Sequence, residues 1–190
     1  MLALETERLL LRPFAAEDAD ALAELVGDAE AMRFIGGTGD RATAAAWIER
    51  ARTEYESGLG KLAVERRSDG RFLGRAGFWA WDTRVWAPVE LPAPLGDGCE
   101  LELGWALVRS AWGHGYATEA AAALRDHAFA TRPRLISIVH PDNARSIAVA
   151  ERLGAEPERR IETLRWGPAI VYAHRPAGAA RIASGIVGSG

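Results

Sequence analysis

From Cys99 to Ala120 the sequence passes without a break from strict alternation into a glycine turn and then into helix: "CELELGWALV" followed by "RSAWGHGYATEA". In the first run Leu101, Leu103, Trp105 and Leu107 share one face, while Glu100, Glu102, Gly104 and Ala106 share the other. That is the pattern of a half-buried strand. The second run sets Gly113 and Gly115 around His114 and leads into a helix predicted over residues 117–130. A strand feeding a helix through such a turn leaves the helix's first N–H groups unpartnered, with the positive end of the dipole behind them. Glycines there let the backbone approach a phosphate closely and take up positive φ. A lone G-x-G match also describes an ordinary helix start, so the rest of the chain has to separate the two readings.

Around this unit the sequence alternates strands and helices. "RLLLRPF" (8–14) predicts a first strand ended by Pro13, and the next segment a helix with Leu22, Leu25 and Val26 on one side and Gly27 as its stop. A second helix is predicted from Thr43 to about Ser57, with Trp47, Ile48, Ala51 and Tyr55 in one stripe. Asp69-Gly70 between two strand-like runs signals a hairpin. Residues 82–98 carry three prolines and no period, and predict a long loop. "RLISIVH" (134–140) reads as a strand, and "NARSIAVAERLG" as a helix capped by Asn143 and stopped by Gly154. "RIETLRWGPAIVYAHR" reads as a closing hairpin. The expected fold class is a mixed α/β or α+β single domain over residues 1–178, with a flexible glycine-rich tail over 179–190.

Composition narrows the function classes. A chain of 190 residues with 48% hydrophobic and 26% charged residues is of the globular class. A net charge of −3 and a pI near 5.9 argue against nucleic acid as a direct partner. One cysteine, Cys99, excludes an intramolecular disulfide framework. With no secretory h-region and no apolar run of spanning length, the expected location is cytoplasmic, with no membrane partner. No P-loop pattern occurs. A dinucleotide fold is poorly served, because Thr118 stands where Gly or Ala belongs and no acid lies between His127 and His140.

"GWALVRSAWGHGYATEA", followed about thirty residues later by "NARSIAVAERLGA", resembles the GNAT superfamily of N-acetyltransferases. The opening "LETERLLLRPFAAEDADAL" is similar to its ribosomal-protein-alanine acetyltransferase branch, and the resemblance covers roughly residues 4 to 175. It implies a central, mostly antiparallel mixed sheet flanked by helices, and acetyl-CoA as co-substrate. It also implies that the backbone of Gly113, His114, Gly115, Tyr116, Ala117 and Thr118 cradles the pyrophosphate. Arg109 would add charge, although the family's Gln/Arg position falls one place later, on Ser110. Backbone N–H groups near Leu107 and Val108 would hold the oxyanion, and Asn143, besides capping its helix, would face the cofactor arm. The implied partners are acetyl-CoA and an amine acceptor, either a peptide N-terminus or a small molecule. A homodimer is an option that relatives commonly take.

Amide formation from a thioester needs a neutral amine, an oxyanion donor and a proton for the leaving thiolate. Deprotonating a lysine-like amine of pKa about 10.4 costs roughly 4–5 kcal/mol at neutral pH, against about 1 for an α-amino group. Glu100 and Glu102 lie close together on one strand face, where mutual repulsion and burial both raise a carboxyl pKa towards a base's range. The resemblance selects Glu102 through "ELGW"; the alternative is a solvated strand face. The tyrosine that many relatives use as acid is replaced by Ala150, and Ser146 matches a serine proposed for that role in the ribosomal branch. Trp86, on the long loop, is a candidate for the acceptor pocket, with Trp79 and Trp81 as packing residues. The alternative from another class is a catalytically weak acyl-CoA-binding or regulatory domain.

Overall fold

A computed structural model describes residues 3–54, 59–89, 96–163 and 166–176. Among these, nine strands form one sheet in the order β1-β2-β3-β4-β6-β7-β9-β8, with β5 added to β4. The strands are β1 (Leu4–Glu5), β2 (Leu9–Arg12), β3 (Lys61–Arg66), β4 (Arg71–Asp82), β5 (Ala87–Val89), β6 (Cys99–Leu107), β7 (Leu135–Val139), β8 (Glu156–Thr163) and β9 (Gly167–His174). The helices are α1 (Ala19–Gly27), α2 (Ala29–Met32), α3 (Arg41–Glu54), α4 (Tyr116–Phe129) and α5 (Ala144–Arg152). Every pairing is antiparallel except β6 with β7, which α4 connects as the crossover that a parallel pair needs. The expected mixed, mostly antiparallel sheet with flanking helices is therefore observed.

The alternation in β6 decides which helices cover which face. Leu101, Leu103 and Leu107 enter one core with Ala120, Ala121 and Leu124 of α4 and Val149 of α5. Ala106, on the other side, joins Ala63 and the helical residues Leu22, Leu25, Ala44 and Ile48 of α1 and α3. Each buried leucine contributes about 1.5–3 kcal/mol, so a one-residue slip of β6 would be strongly unfavourable.

The hairpin at Asp69-Gly70 joins β3 to β4 as predicted, with Gly70 at φ +69°. Other boundaries move. The second helix starts at Arg41, because Asp40 accepts a hydrogen bond from the Thr43 N–H at 2.8 Å and fixes the entry there. Tyr55 and Ser57, assigned to it from the sequence, lie outside the described residues. The segment 82–98 is not all loop, since β5 pairs with the end of β4, and residues 90–95 lie outside the described set. The expected tail, 179–190, also lies outside it. No described helix is long and apolar enough to cross a membrane.

Candidate active site

β6 and β7 are in register at Glu102 and Ile136, and no further pair of partners continues the ladder. Towards its C-terminal end β6 therefore has one edge without a strand partner, where the Trp112 Nε1–H donates to Leu107 O at 2.8 Å. The opposite edge is occupied: the Val108 N–H donates to Leu73 O at 2.9 Å across a register that pairs Gly74 with Leu107. An antiparallel ladder alternates, so the N–H groups of Ala106 and Val108 point to β4 and those of Trp105 and Leu107 towards the split. This corrects one expectation. Val108 cannot offer its N–H to an oxyanion in this structure, whereas Leu107 directs its own into the gap.

On the α1/α3 face of the sheet, beside that gap, lies a cavity of about 550 Å³. Glu102 reaches it from β6, Arg75, Trp79 and Trp81 from β4, Lys61 from β3, and Trp47 from α3. Asn143 and Ser146 border it from the start of α5. Gly104 makes room for the Trp79 ring, whose atoms lie 2.9 Å from where a Cβ on residue 104 would stand.

Glu102 is half-buried in the wall of the cavity. Burial raises its pKa to about 7, against the opposing pull of hydrogen bonds from Trp81 and the Ile138 backbone and of the Lys61 and Arg75 charges. The Trp81 Nε1–H donates to its carboxylate at 2.5 Å. Glu100 takes no part in the shift. It pairs with Arg134 at 3.0 Å, so the mutual repulsion expected from sequence is absent and desolvation raises Glu102 instead.

The glycine turn lies outside the cavity lining, beyond a 3-10 turn at Arg109–Ala111. Gly113 and Gly115 have φ of +78° and +81°, and Gly115 caps α4, so the turn requires the left-handed region twice. Among the described residues, and apart from its chain neighbours, no atom lies within 4 Å of a Cβ built on Gly113, leaving its outer side open. Tyr116 is the first residue of α4, one place earlier than expected, and Ala117 and Thr118 complete its first turn. His114 is exposed and tilts against the Tyr116 ring at 5.6 Å. Arg109 does not reach the turn; its guanidinium pairs with Asp28 at 2.5 Å, at the start of α2.

Other cations take that place. Arg8 of the N-terminal segment donates to His114 O at 2.9 Å and lies over the Tyr116 ring at 4.8 Å. Arg71 of β4 reaches Ser110 Oγ at 3.0 Å, bringing a guanidinium to the residue that departs from the family pattern. Glu119 is engaged by Thr6 and Arg8, in keeping with a structural role. Asn143 caps α5 as predicted, its Oδ1 accepting the Ser146 N–H at 3.1 Å.

Sequence reasoning missed several cavity residues and misplaced one. Trp86 does not line the cavity, where Pro88 and Val89 stand instead. Trp81, read as packing, holds the Glu102 carboxylate. Arg75, Lys61 and Trp47 were not singled out. The signal for Arg75 was the alternation Arg75, Gly77, Trp79, Trp81 in "RAGFWAW", which the register sets opposite Ala106, Gly104, Glu102 and Glu100; Lys61 and Trp47, on β3 and α3, had no such local signal.

Residues 8–156 match the acetyltransferase (GNAT) domain family. The chain is 29% identical over 174 residues to the protein YkkB of Bacillus subtilis, covering 89% of this chain and 93% of that one. An acetyltransferase from Agrobacterium tumefaciens has a similar structure, with a TM-score of 0.74 and 31% identity over 93% of this chain and 95% of that one. Mycobacterium smegmatis RimJ, solved with a CoA-disulfide, shares the fold at a TM-score of 0.69 and 21% identity, covering 88% and 81% of the two chains.

Proposed function

The chain belongs to the acetyltransferase (GNAT) domain family, and from that premise we propose that it transfers acetyl from acetyl-CoA to a primary amine by direct attack, with Glu102 as general base. The observation that carries this reading is a carboxylate with a pKa near 7, set in an aromatic cavity beside the gap between β6 and β7.

The residues suit the donor. The left-handed glycine turn offers the unpartnered N–H groups at the start of α4 to a pyrophosphate, and Arg8 and Arg71 supply charge beside it. The gap between the strands leads from there to Glu102. Within it the Leu107 N–H faces the thioester oxygen, which gains negative charge as the amine attacks. Glu102 removes the amine proton, directly or through one water, and the new N–C bond forms as the C–S bond breaks. Ser146, at the rim of the cavity, supports the leaving thiolate as a hydrogen-bond donor; its hydroxyl is too weak an acid to do more.

Acceptors with α-amino groups fit a carboxylate of this pKa better than lysine side chains do, since little driving force is needed to deprotonate them. Residues 1–178 act as the unit in this reading, at a cytoplasmic site, with the oligomeric state open to a homodimer. The test is release of CoA thiol from acetyl-CoA across an amine panel that includes N-terminal peptides. Turnover of at least one amine class is expected. Stabilisation by acetyl-CoA with no turnover on any amine would overturn the reading in favour of a binding domain.

A further inference from the structure

Arg75 is a charged cavity residue that the acetyl-transfer chemistry does not use. It stands on β4 with 8% of its surface exposed, lines the cavity, and has a buried Nε with no hydrogen-bond partner among the described residues. Its guanidinium lies over Trp47 at 4.5 Å and near Trp79 at 5.7 Å. Ring faces attract the cation but accept none of its in-plane N–H bonds. Burying such a group is strongly unfavourable unless a partner arrives. Of the cavity's other cations, Lys61 is already paired with Glu54 and Arg50 is exposed. Glu102 is the charge that favours ionised Arg75, yet that carboxylate is itself about half protonated near neutral pH. A buried, ring-held fork of donors facing a cavity is a receptor for a planar anion.

We propose that Arg75 selects the acceptor, receiving a carboxylate carried by the amine substrate while the amine lies towards Glu102. The inference deepens the acetyltransferase reading and rests on it. The walls fix the chemical class: the cavity of about 550 Å³ is flanked by Trp47, Trp79 and Trp81, which suits a compact amine bearing one carboxylate. The carboxylate belongs either to a free amino acid or to an acidic residue near a peptide N-terminus.

Two matched sets separate these sources: free amino acids against their amides, and short peptides with Asp or Asn in the second position. In the set that contains the acceptor, wild-type kcat/KM favours the carboxylate member by about tenfold or more, as expected for hydrogen bonds to a charged group. Arg75→Met brings that ratio to within about twofold of one, and Arg75→Lys keeps part of it. A wild-type ratio near one in both sets would overturn the proposal. So would an Arg75→Met variant that lowers both members equally and moves the pH profile, the behaviour of a residue that merely positions Glu102. Thermal unfolding controls for folding, and Arg75→Met is expected to melt no lower than wild type because it removes an unpaired buried charge. If no amine turns over, the acetyltransferase reading fails separately. Calorimetric binding of the same pairs to the CoA-saturated protein then decides: tighter carboxylate binding that Arg75→Met abolishes sustains the proposal, and equal binding overturns it.

Discussion

In the proposed reaction the carboxylate of Glu102 is the base, and the Trp81 indole is the group that tunes it. The indole N–H hydrogen-bonds the charged form of the carboxylate and pulls its pKa down, while burial pushes it up to about 7. A base acts only when ionised, so activity should rise with pH through that value. Glu102→Gln should lower kcat/KM by about 10²–10⁴-fold, the usual worth of a positioned base, and abolish the rise. Trp81→Phe keeps the ring but removes the donor. It should leave a working enzyme whose acidic limb lies at higher pH, because the charged carboxylate has lost a hydrogen bond. A limb unmoved in Trp81→Phe would show that another group sets it. Pre-steady-state and steady-state pH profiles of the two variants, with one acceptor, make the measurement.

At the scale of elements, the glycine turn and the α5 cap show what local sequence can reveal. Gly115 at φ +81° and Asn143 bonded to the Ser146 N–H are dictated by neighbours within a few residues, so short-range signals sufficed. Gly115→Val should cost about 1–2 kcal/mol from the left-handed backbone alone. It should also raise KM for acetyl-CoA, since a Cβ there stands 3.4 Å from Arg8 Nη2, beside the proposed pyrophosphate cradle. Titration calorimetry with CoA checks this, and normal affinity in the folded variant would remove the turn from the binding site. Asn143→Ala removes a cap and should lower stability by about 1 kcal/mol, read from denaturant midpoints. The cations were harder to read, because their places depend on partners far along the chain. Arg109 was the near residue by sequence, but Asp28 takes it; Arg8 and Arg71 arrive through the pairing of β2 with β3 and β3 with β4. The face that carries Arg75 and Trp81 was legible as an alternation. Its meaning came only from the register with β6 and the covering helices α1 and α3.

Across the whole molecule, two titratable groups, the buried His174 and the half-buried Glu102, pull the pH dependence of stability in opposite directions. His174 on β9 lies 2.9 Å from Ser137 Oγ, whose proton goes to Leu103 O at 2.7 Å, so the imidazole Nε2–H donates to the serine. Its Nδ1 is buried without a partner among the described residues, and burial, with Arg125 and Arg134 nearby, depresses its pKa to about 4. Between about pH 4 and 6.5 the unfolded histidine binds more protons than the folded one, so the stability it contributes is present above 6.5 and is lost as pH falls. Glu102 is the reverse. Its folded pKa of about 7 exceeds the ordinary 4.5, so its contribution is full below 4.5 and is lost as pH rises towards 7. From pH 4.5 to 6.5 the two slopes, each at most about 1.4 kcal/mol per pH unit, oppose one another and largely cancel. Among the paired carboxylates, Asp69 and Asp82 titrate near 2, below this window, and Glu119 and Glu158, lowered against burial by Thr6 and Arg8 and by Arg134, add a rise only at its acidic edge. Urea unfolding across pH 4.5–7 should therefore give a shallow profile for the wild type. Glu102→Gln should expose a stability that climbs with pH, and His174→Gln one that declines. The double variant should be level again, since neither titration remains. Parallel profiles for the two single variants would mean that some other group governs the pH dependence, and that Glu102 and His174 are not an opposing pair.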